Sequence, residues 1–152
     1  MPLNPSAFRG ESRVKLRSSA YVLGYLGVLP FVALAPLGFI LEYPHAQLAI
    51  AAVLAYGAVI LSFLTGIHWA QGLHSGSAAR LLWSCFPALV AWLALLMPAE
   101  FGLLALMLGF LLVWIAEKSC HWPSWYSKLR LHLSALVVLF LFIAWLAVAE
   151  VY

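Results

Sequence analysis

Polar and charged residues are spaced along this chain so that five long apolar segments contain no Lys, Arg, Asp or Glu. These segments are roughly Tyr21–Leu41, Leu48–Trp69, Leu81–Met97, Phe101–Ala116 and Leu133–Ala149. A helix needs about 20 apolar residues to cross the hydrocarbon core of a bilayer, with a range of about 17–25. Only helices and closed barrels satisfy every backbone polar group in lipid. The pattern therefore predicts an all-α, polytopic membrane protein with five transmembrane helices.

Composition agrees with a membrane protein. The chain is 66% hydrophobic and 9% charged, whereas a soluble domain carries about 25% charged residues. A soluble protein this apolar would expose large patches that cause aggregation. We expect a cytoplasmic N-terminal tail over residues 1–19 and a single transmembrane domain over residues 20–150.

Prolines modify three of the predicted helices. Pro30 and Pro36 lie in the first apolar segment, where each removes a backbone donor, so the first helix is expected to be kinked. Pro98 disfavours a helical conformation at Met97, which predicts a tight hairpin between the third and fourth spans. Pro123 suits the first position of a helix.

An aromatic segment precedes the fifth span. Trp122, Trp125, Tyr126 and Leu129 have the spacing of one helical face, and Trp and Tyr are enriched where a membrane meets water. We therefore predict an interfacial cytoplasmic helix that leads into the fifth span. Its predicted docking surface consists of Trp122, Trp125, Tyr126, Lys128 and Arg130.

The basic residues predict the orientation. If the five spans alternate in direction, all eight Lys and Arg residues fall on one side of the membrane and none on the other. Short cytoplasmic loops carry the excess of Lys and Arg, so the N-terminus is predicted to be cytoplasmic and the C-terminus periplasmic. This use of the charge excludes nucleic acid as a partner. A bacterial inner membrane is the expected location, and the cluster Arg9, Arg13, Lys15 and Arg17 leaves a mitochondrial presequence as the alternative.

Small residues recur every four positions in the second span, at Ala58, Ser62, Gly66 and Ala70. Such spacing lets helix backbones approach closely. We interpret these residues as a helix-packing seam, and expect it to face small residues of the first and fourth spans, namely Gly24, Gly27, Ala105 and Gly109.

Beside this seam, Ser62, Thr65 and His68 follow one another at three-residue intervals and are expected to face the bundle. His68 is the only His, Lys, Arg, Asp or Glu within the five segments, which makes it a candidate functional site. It also lies about one turn from the cytoplasmic end, where a neutral, hydrogen-bonded structural histidine costs little. Trp69 and Glu117 complete the candidate polar or binding site, and a Glu117–His68 pair could handle protons.

Metal and catalytic sites have no support in the residue spacing. His74, His121, His132 and Cys120 do not form a zinc motif with His68. The Ser62, Thr65 and His68 set lacks the intramembrane carboxylate that a hydrolase would need as an orienting group. We therefore predict no catalytic residue, no metal and no cofactor.

Four segments resemble a family of uncharacterised proteobacterial inner-membrane proteins that includes a mitochondrial, numbered transmembrane protein. They are Tyr25–Phe31, Tyr56–Trp69, Pro87–Trp92 and Pro123–Arg130, and the resemblance covers nearly all of Ala20–Ala149. The most specific part is Ser-Phe-Leu-x-Gly-Ile-His-Trp, which ends here at His68 and Trp69. Thr65 and Ala70 replace two family glycines, and Glu117 stands where the family usually has Asp. The resemblance implies a five-helix inner-membrane protein and supplies no catalytic residue.

Three functions remain open. The first is a non-enzymatic accessory or assembly component that packs against other membrane proteins or itself. The second is a small-molecule, quinone or lipid-binding protein with a pocket near His68 under the kinked first span. The third is an oligomeric pore or transporter. Membrane lipids are expected partners in every case.

Overall fold

The computed structural model describes residues 5–118 and 122–151. Throughout these ranges all regular structure is helical, and five segments are long and apolar enough to cross a membrane. The all-α, five-span prediction is therefore confirmed. The helices are α1 (Pro5–Leu34), α2 (Leu37–Ile40), α3 (His45–Ser75), α4 (Ala78–Leu96), α5 (Ala99–Glu117) and α6 (Ser124–Val151).

Helix α3 is the centre of the bundle, because it contacts each of the other five helices. Helix α4 is peripheral and contacts only α3 and α5 within the described ranges. The core lies between α1, α3, α5 and α6. Its largest fully buried side chains include Phe31, Ile50, Leu61, Leu103, Phe110 and Leu141.

The first span consists of α1 and α2 together. The two prolines act differently: Pro30 lies within α1, whereas Ala35 and Pro36 form a turn that separates α1 from α2. The expected kink is therefore a break at Pro36. Helix α1 also begins at Pro5, so most of the predicted N-terminal tail is helical, and residues 1–4 lie outside the described ranges.

Helix α3 is longer than its apolar segment and spans 31 residues. It ends at a Schellman motif, in which Gly76 has a φ of 65° and the amide of Ser77 donates to the Gly72 carbonyl at 3.0 Å. Ser77 then caps α4 by accepting a hydrogen bond from the Arg80 amide at 3.4 Å. The connection between α3 and α4 thus consists of Gly76 and Ser77 alone.

The other two connections agree with the proline arguments. Met97 is extended, with φ −91° and ψ 160°, and α5 begins directly after Pro98, which confirms the tight hairpin. Helix α6 begins just after Pro123 and continues without a break into the fifth span. The alternating helices bring Arg17, Arg80, Lys118 and Arg130 to the same end of the bundle, which we call the basic end.

Candidate functional site

The main polar feature of the basic end is a buried ion pair between α5 and α6. The Arg130 guanidinium donates from Nε to both Glu117 carboxylate oxygens, at 3.0 and 2.9 Å, and from Nη2 to Oε1 at 2.7 Å. The two side chains are only 9% and 7% exposed. Such a forked contact fixes the geometry of both partners, so it joins the end of α5 to the start of α6.

Helix chemistry explains why Glu117 needs this partner. It is the last residue of α5, where the negative end of the helix dipole disfavours a carboxylate. Burial adds a second cost, because an unpaired charge is expensive away from water. Arg130 offsets both costs from the second turn of α6.

His68 lies in the same polar region. It is 3% exposed, and its Nε2 atom has no hydrogen-bond partner among the described residues. Glu117, Arg130 and Arg80 are all near enough to act on it electrostatically. No hydrogen bond therefore joins Nε2 to Glu117, whose two oxygens accept from Arg130. His68 is therefore a buried polar group beside an ion pair.

The candidate polar site is only partly assembled. Thr65 is buried and donates a 2.7 Å hydrogen bond to the Ser62 carbonyl, and His68 is buried as expected. Glu117, which we expected at the cytoplasmic surface, is buried as well. The expectation that Ser62 faces the bundle is wrong, because its side chain is exposed. At about 100° per residue, six positions turn a helix about 120° away from its starting direction. Trp69 is 45% exposed and lies outside the buried set.

The predicted seam is not a contact within this chain. Ala58 is buried, but Ser62, Gly66 and Ala70 are exposed, and a Cβ added to Gly66 would meet nothing within 4 Å. The glycines expected to face this seam pack elsewhere: Gly24 lies against Leu133 and Gly109 against Leu61. A four-residue repeat drifts about 40° per step, which carries the stripe from the interior to the surface.

The aromatic segment packs onto the bundle. Trp125 stacks on Tyr21 with the ring centroids 6.2 Å apart, and the Arg17 guanidinium lies 5.7 Å from the Trp125 ring centroid. Trp122 and Tyr126 form a tilted pair at 5.0 Å. These three rings are partly buried and Lys128 is exposed. Including Arg130 in the docking surface was wrong, because Glu117 holds it inside.

Two adjoining spaces lie between α5 and α6. A small cavity of about 70 Å³, here called the polar cavity, is lined by Trp114, Glu117, Lys118, Trp122, Ser127 and Arg130. An open groove of about 450 Å³, here called the apolar groove, is lined by Met107, Leu111, Trp114, Leu131, Ser134, Ala135, Val138, Leu139 and Phe142. Trp114 lines both, so the two spaces lie side by side.

Sequence reasoning missed this pair of spaces. Its one available signal was Glu117, a carboxylate at a helix C-terminus that requires a cationic partner. The described residues contain no group of three or more His, Cys, Asp and Glu side chains placed to hold a metal ion. Cys120 and His121, considered above as ligands, lie outside the described ranges. This arrangement is suited to binding, since it offers cations, an indole N–H, a hydroxyl and an apolar groove.

Comparisons with known proteins agree with the membrane fold. Residues 16–146 match the family described as "Protein of unknown function (DUF3429)". Transmembrane protein 69 of Xenopus tropicalis is 38% identical over 128 residues, which cover 78% of this chain and 50% of the relative. Transmembrane protein 69 of Mus musculus is 30% identical over 135 residues, which cover 83% of this chain and 54% of the relative. The chain thus spans about half the length of these curated relatives. No solved structure matches it.

Proposed function

This chain belongs to the family described as "Protein of unknown function (DUF3429)". From its exposed surfaces, we propose that it is a non-enzymatic component of the inner membrane. In this proposal it packs against a transmembrane helix of another membrane protein. The observation that carries the proposal is the exposed small-residue face of α3.

This face consists of exposed residues at three- and four-residue intervals along the central helix. Its small members are Ala51, Ala55, Ser62, Gly66 and Ala70. Between them lies Val59, which is 62% exposed. The rest of α3 is anchored, because it contacts every other helix of the bundle. The face is therefore a rigid surface on which the small residues lie between the exposed side chains of Phe63 and Trp69.

Membrane helices associate through close van der Waals packing and interhelical hydrogen bonds, since lipid tails are as apolar as the side chains. Gly66 and Ala70 would let a partner backbone come close, and the Ser62 hydroxyl can bond across the contact. A helix surface that met only acyl chains would gain nothing from this arrangement. A partner helix is accordingly the occupant that fits it.

Site-specific photo-crosslinking tests this proposal. A photoreactive amino acid placed at position 62 should cross-link to one defined membrane protein, whereas the same group at Val22, exposed on α1, should not. Ala70→Leu should abolish the position-62 product, because the larger side chain holds the partner backbone away. The matched control is Leu82→Ala on the exposed face of α4, which should leave the product unchanged.

The mass of the product separates the alternatives. A cross-link to a second protein that depends on Ala70 supports the proposal. A product of twice the chain mass would overturn it in favour of self-association, and a symmetric ring with measurable conductance would favour a pore. An unlinked monomer in native membranes would overturn helix association altogether.

Binding of a hydrophobic ligand is the second candidate function, and the apolar groove favours it. Ligand sites are concave, mostly apolar and supplied with a few polar groups, as the groove and the polar cavity are when taken together. The sequence had placed such a pocket near Ser62, Thr65 and His68. The groove instead lies between α5 and α6, so the two candidate functions use different surfaces.

A further inference from the structure

The polar cavity carries an excess of positive charge. Lys118 and Arg130 line it together with one carboxylate, that of Glu117. Arg130 and Glu117 neutralise each other in their buried pair, so Lys118 supplies the net charge. Its Nζ atom lies 3.8 Å from the centroid of the Trp114 ring, on the wall that the cavity shares with the apolar groove. A ligand group with one negative charge would therefore neutralise this cavity.

A buried donor on a residue that lines the cavity lacks an acceptor. The Nε1 atom of Trp122 is shielded from solvent and has no hydrogen-bond partner among the residues that the structure describes. An indole N–H can only donate, and leaving it unpaired costs about 1–3 kcal/mol. Ser127, in the first turn of α6, adds a hydroxyl where the helix dipole favours negative charge. An anionic oxygen in the cavity would satisfy Trp122 and approach Lys118.

The volume of the polar cavity and its position beside the apolar groove suit the headgroup of a lipid. The cavity holds about 70 Å³, more than the roughly 10–15 Å³ that one water needs. The adjoining groove runs along α5 and α6 among apolar side chains, and Ala135 and Leu139 on its wall are exposed. Acyl chains of the surrounding bilayer can therefore enter from the side without a separate entrance.

We propose that the polar cavity and the apolar groove together bind one anionic phospholipid. Its phosphate oxygens accept hydrogen bonds from Trp122 and Ser127 and pair with Lys118, while an acyl chain lies in the groove against Leu111 and Phe142. The buried Glu117–Arg130 pair positions the two helix ends that form the cavity. This inference rests on the second candidate function and is independent of helix association through α3.

Lipid titration of the detergent-purified full chain by native mass spectrometry tests the inference. Phosphatidylglycerol should bind at one saturable site about tenfold more tightly than phosphatidylcholine, because phosphatidylcholine carries, beside the same phosphate, a choline cation that Lys118 repels. Lys118→Gln should remove this preference. Trp122→Phe keeps an aromatic ring and removes the N–H donor, so it should weaken phosphatidylglycerol binding several-fold. Lys128→Gln is the matched charge control, because Lys128 is exposed and does not line the cavity.

The groove is tested separately with Ala135→Phe. Position 135 is exposed on the groove wall, so the added ring should occupy the acyl-chain space without disturbing the core. Lipid binding should fall about tenfold or more, while the unfolding temperature in detergent should stay unchanged.

Each contrary result points to a different error. Equal binding of both phospholipids, unaffected by Lys118→Gln, would overturn the anionic headgroup and leave hydrophobic binding standing. Tighter binding of a neutral quinone than of phosphatidylglycerol would assign the groove to quinones. Displacement of the lipid by millimolar inorganic phosphate would show a site for a soluble anion. If neither a lipid nor a quinone binds at a saturable site, and Ala135→Phe does not change binding, both the inference and the second candidate function are overturned.

Discussion

At the scale of single residues, the neighbours of each buried polar group determine whether it finds a hydrogen-bond partner. Glu117 and Arg130 satisfy each other through a forked contact, and Thr65 satisfies itself on its own helix. Within the described ranges, His68 and Trp122 each keep one buried nitrogen without a partner. Trp122 also lines a cavity with excess positive charge, and for that reason it supports the ligand inference.

Breaking the Glu117–Arg130 pair on one side should destabilise the protein strongly. Glu117→Gln or Arg130→Met alone leaves the other charge buried, which costs about 3–5 kcal/mol. The double variant Glu117→Gln/Arg130→Met should recover most of the loss, because no charge then remains unpaired. Unfolding in mixed micelles measures all three, with Lys128→Gln as the exposed control. Additive losses in the double variant would contradict a coupled pair.

Two glycines should respond to alanine in opposite ways. A Cβ at Gly102 would run into the Ala94 backbone carbonyl, and the backbone cannot move away easily, so Gly102→Ala should cost about 1–3 kcal/mol. Gly66→Ala has open space around it and should stabilise the isolated protein by about 0.5–1 kcal/mol, since Gly is a poor helix former. Thermal unfolding of the purified monomer compares them. Equal effects would show that the α4–α5 contact is not as close as described.

At the scale of elements, local chemistry fixes the helix ends and neighbours fix the helix faces. Pro36 and Pro98 stop helices for backbone reasons alone, and Gly76 stops α3 because it adopts a left-handed conformation. The inward face of α4 is different: it is lined by Ser84, Pro87, Ala91 and Ala94, small or compact residues that let α4 lie close to α3 and α5. Its other face is left for lipid.

Gly76→Ala should therefore weaken the junction between α3 and α4. The left-handed conformation costs a residue with a Cβ about 1–2 kcal/mol, and the φ of 65° at Gly76 requires it. Gly27→Ala is the matched control, since Gly27 has space for a methyl group and lies within α1. Thermal unfolding should separate the two variants by at least about 1 kcal/mol. An unchanged unfolding temperature for Gly76→Ala would mean that α3 and α4 can be joined by a different backbone conformation at position 76.

At the scale of the whole molecule, the alternating helices collect the basic residues at one end. Arg17, Arg80, Lys118 and Arg130 reach this end from four different helices. The aromatic segment closes over the same end, where Trp125 stacks on Tyr21. The anionic phospholipid site lies there too, where a cytoplasmic leaflet would supply acidic headgroups.

Reporter fusions test the orientation that this charge distribution predicts. An alkaline phosphatase fused after Tyr152 should be active, because the C-terminus is predicted to be periplasmic and the enzyme folds only outside the cytoplasm. The same reporter inserted after Gly76, between α3 and α4, should be inactive. The opposite pattern, with activity at Gly76 alone, would reverse the proposed topology and place the lipid site in the other leaflet.

Much of the fold could be predicted from the sequence because its causes are local. The five spans follow from hydropathy summed over about 20 neighbours, and the hairpin at Pro98 follows from one steric clash. The candidate site was harder. Thr65 and His68 were correctly predicted to face the interior, but Ser62 was not, because a small error in helical phase grows with each turn. The burial of Glu117 was not predicted, because it depends on its partner Arg130 from another helix.

The sequence by itself determined that this protein is a five-span helical bundle and that its basic residues share one end, since both depend on the order of residues along the chain. Tertiary structure decided which faces meet. It turned Arg130 inward to Glu117, left the Ser62, Gly66 and Ala70 face of α3 uncovered, and opened the groove between α5 and α6. Those outcomes depend on how the helices are rotated against one another, and rotation is set by the packing of all neighbours at once.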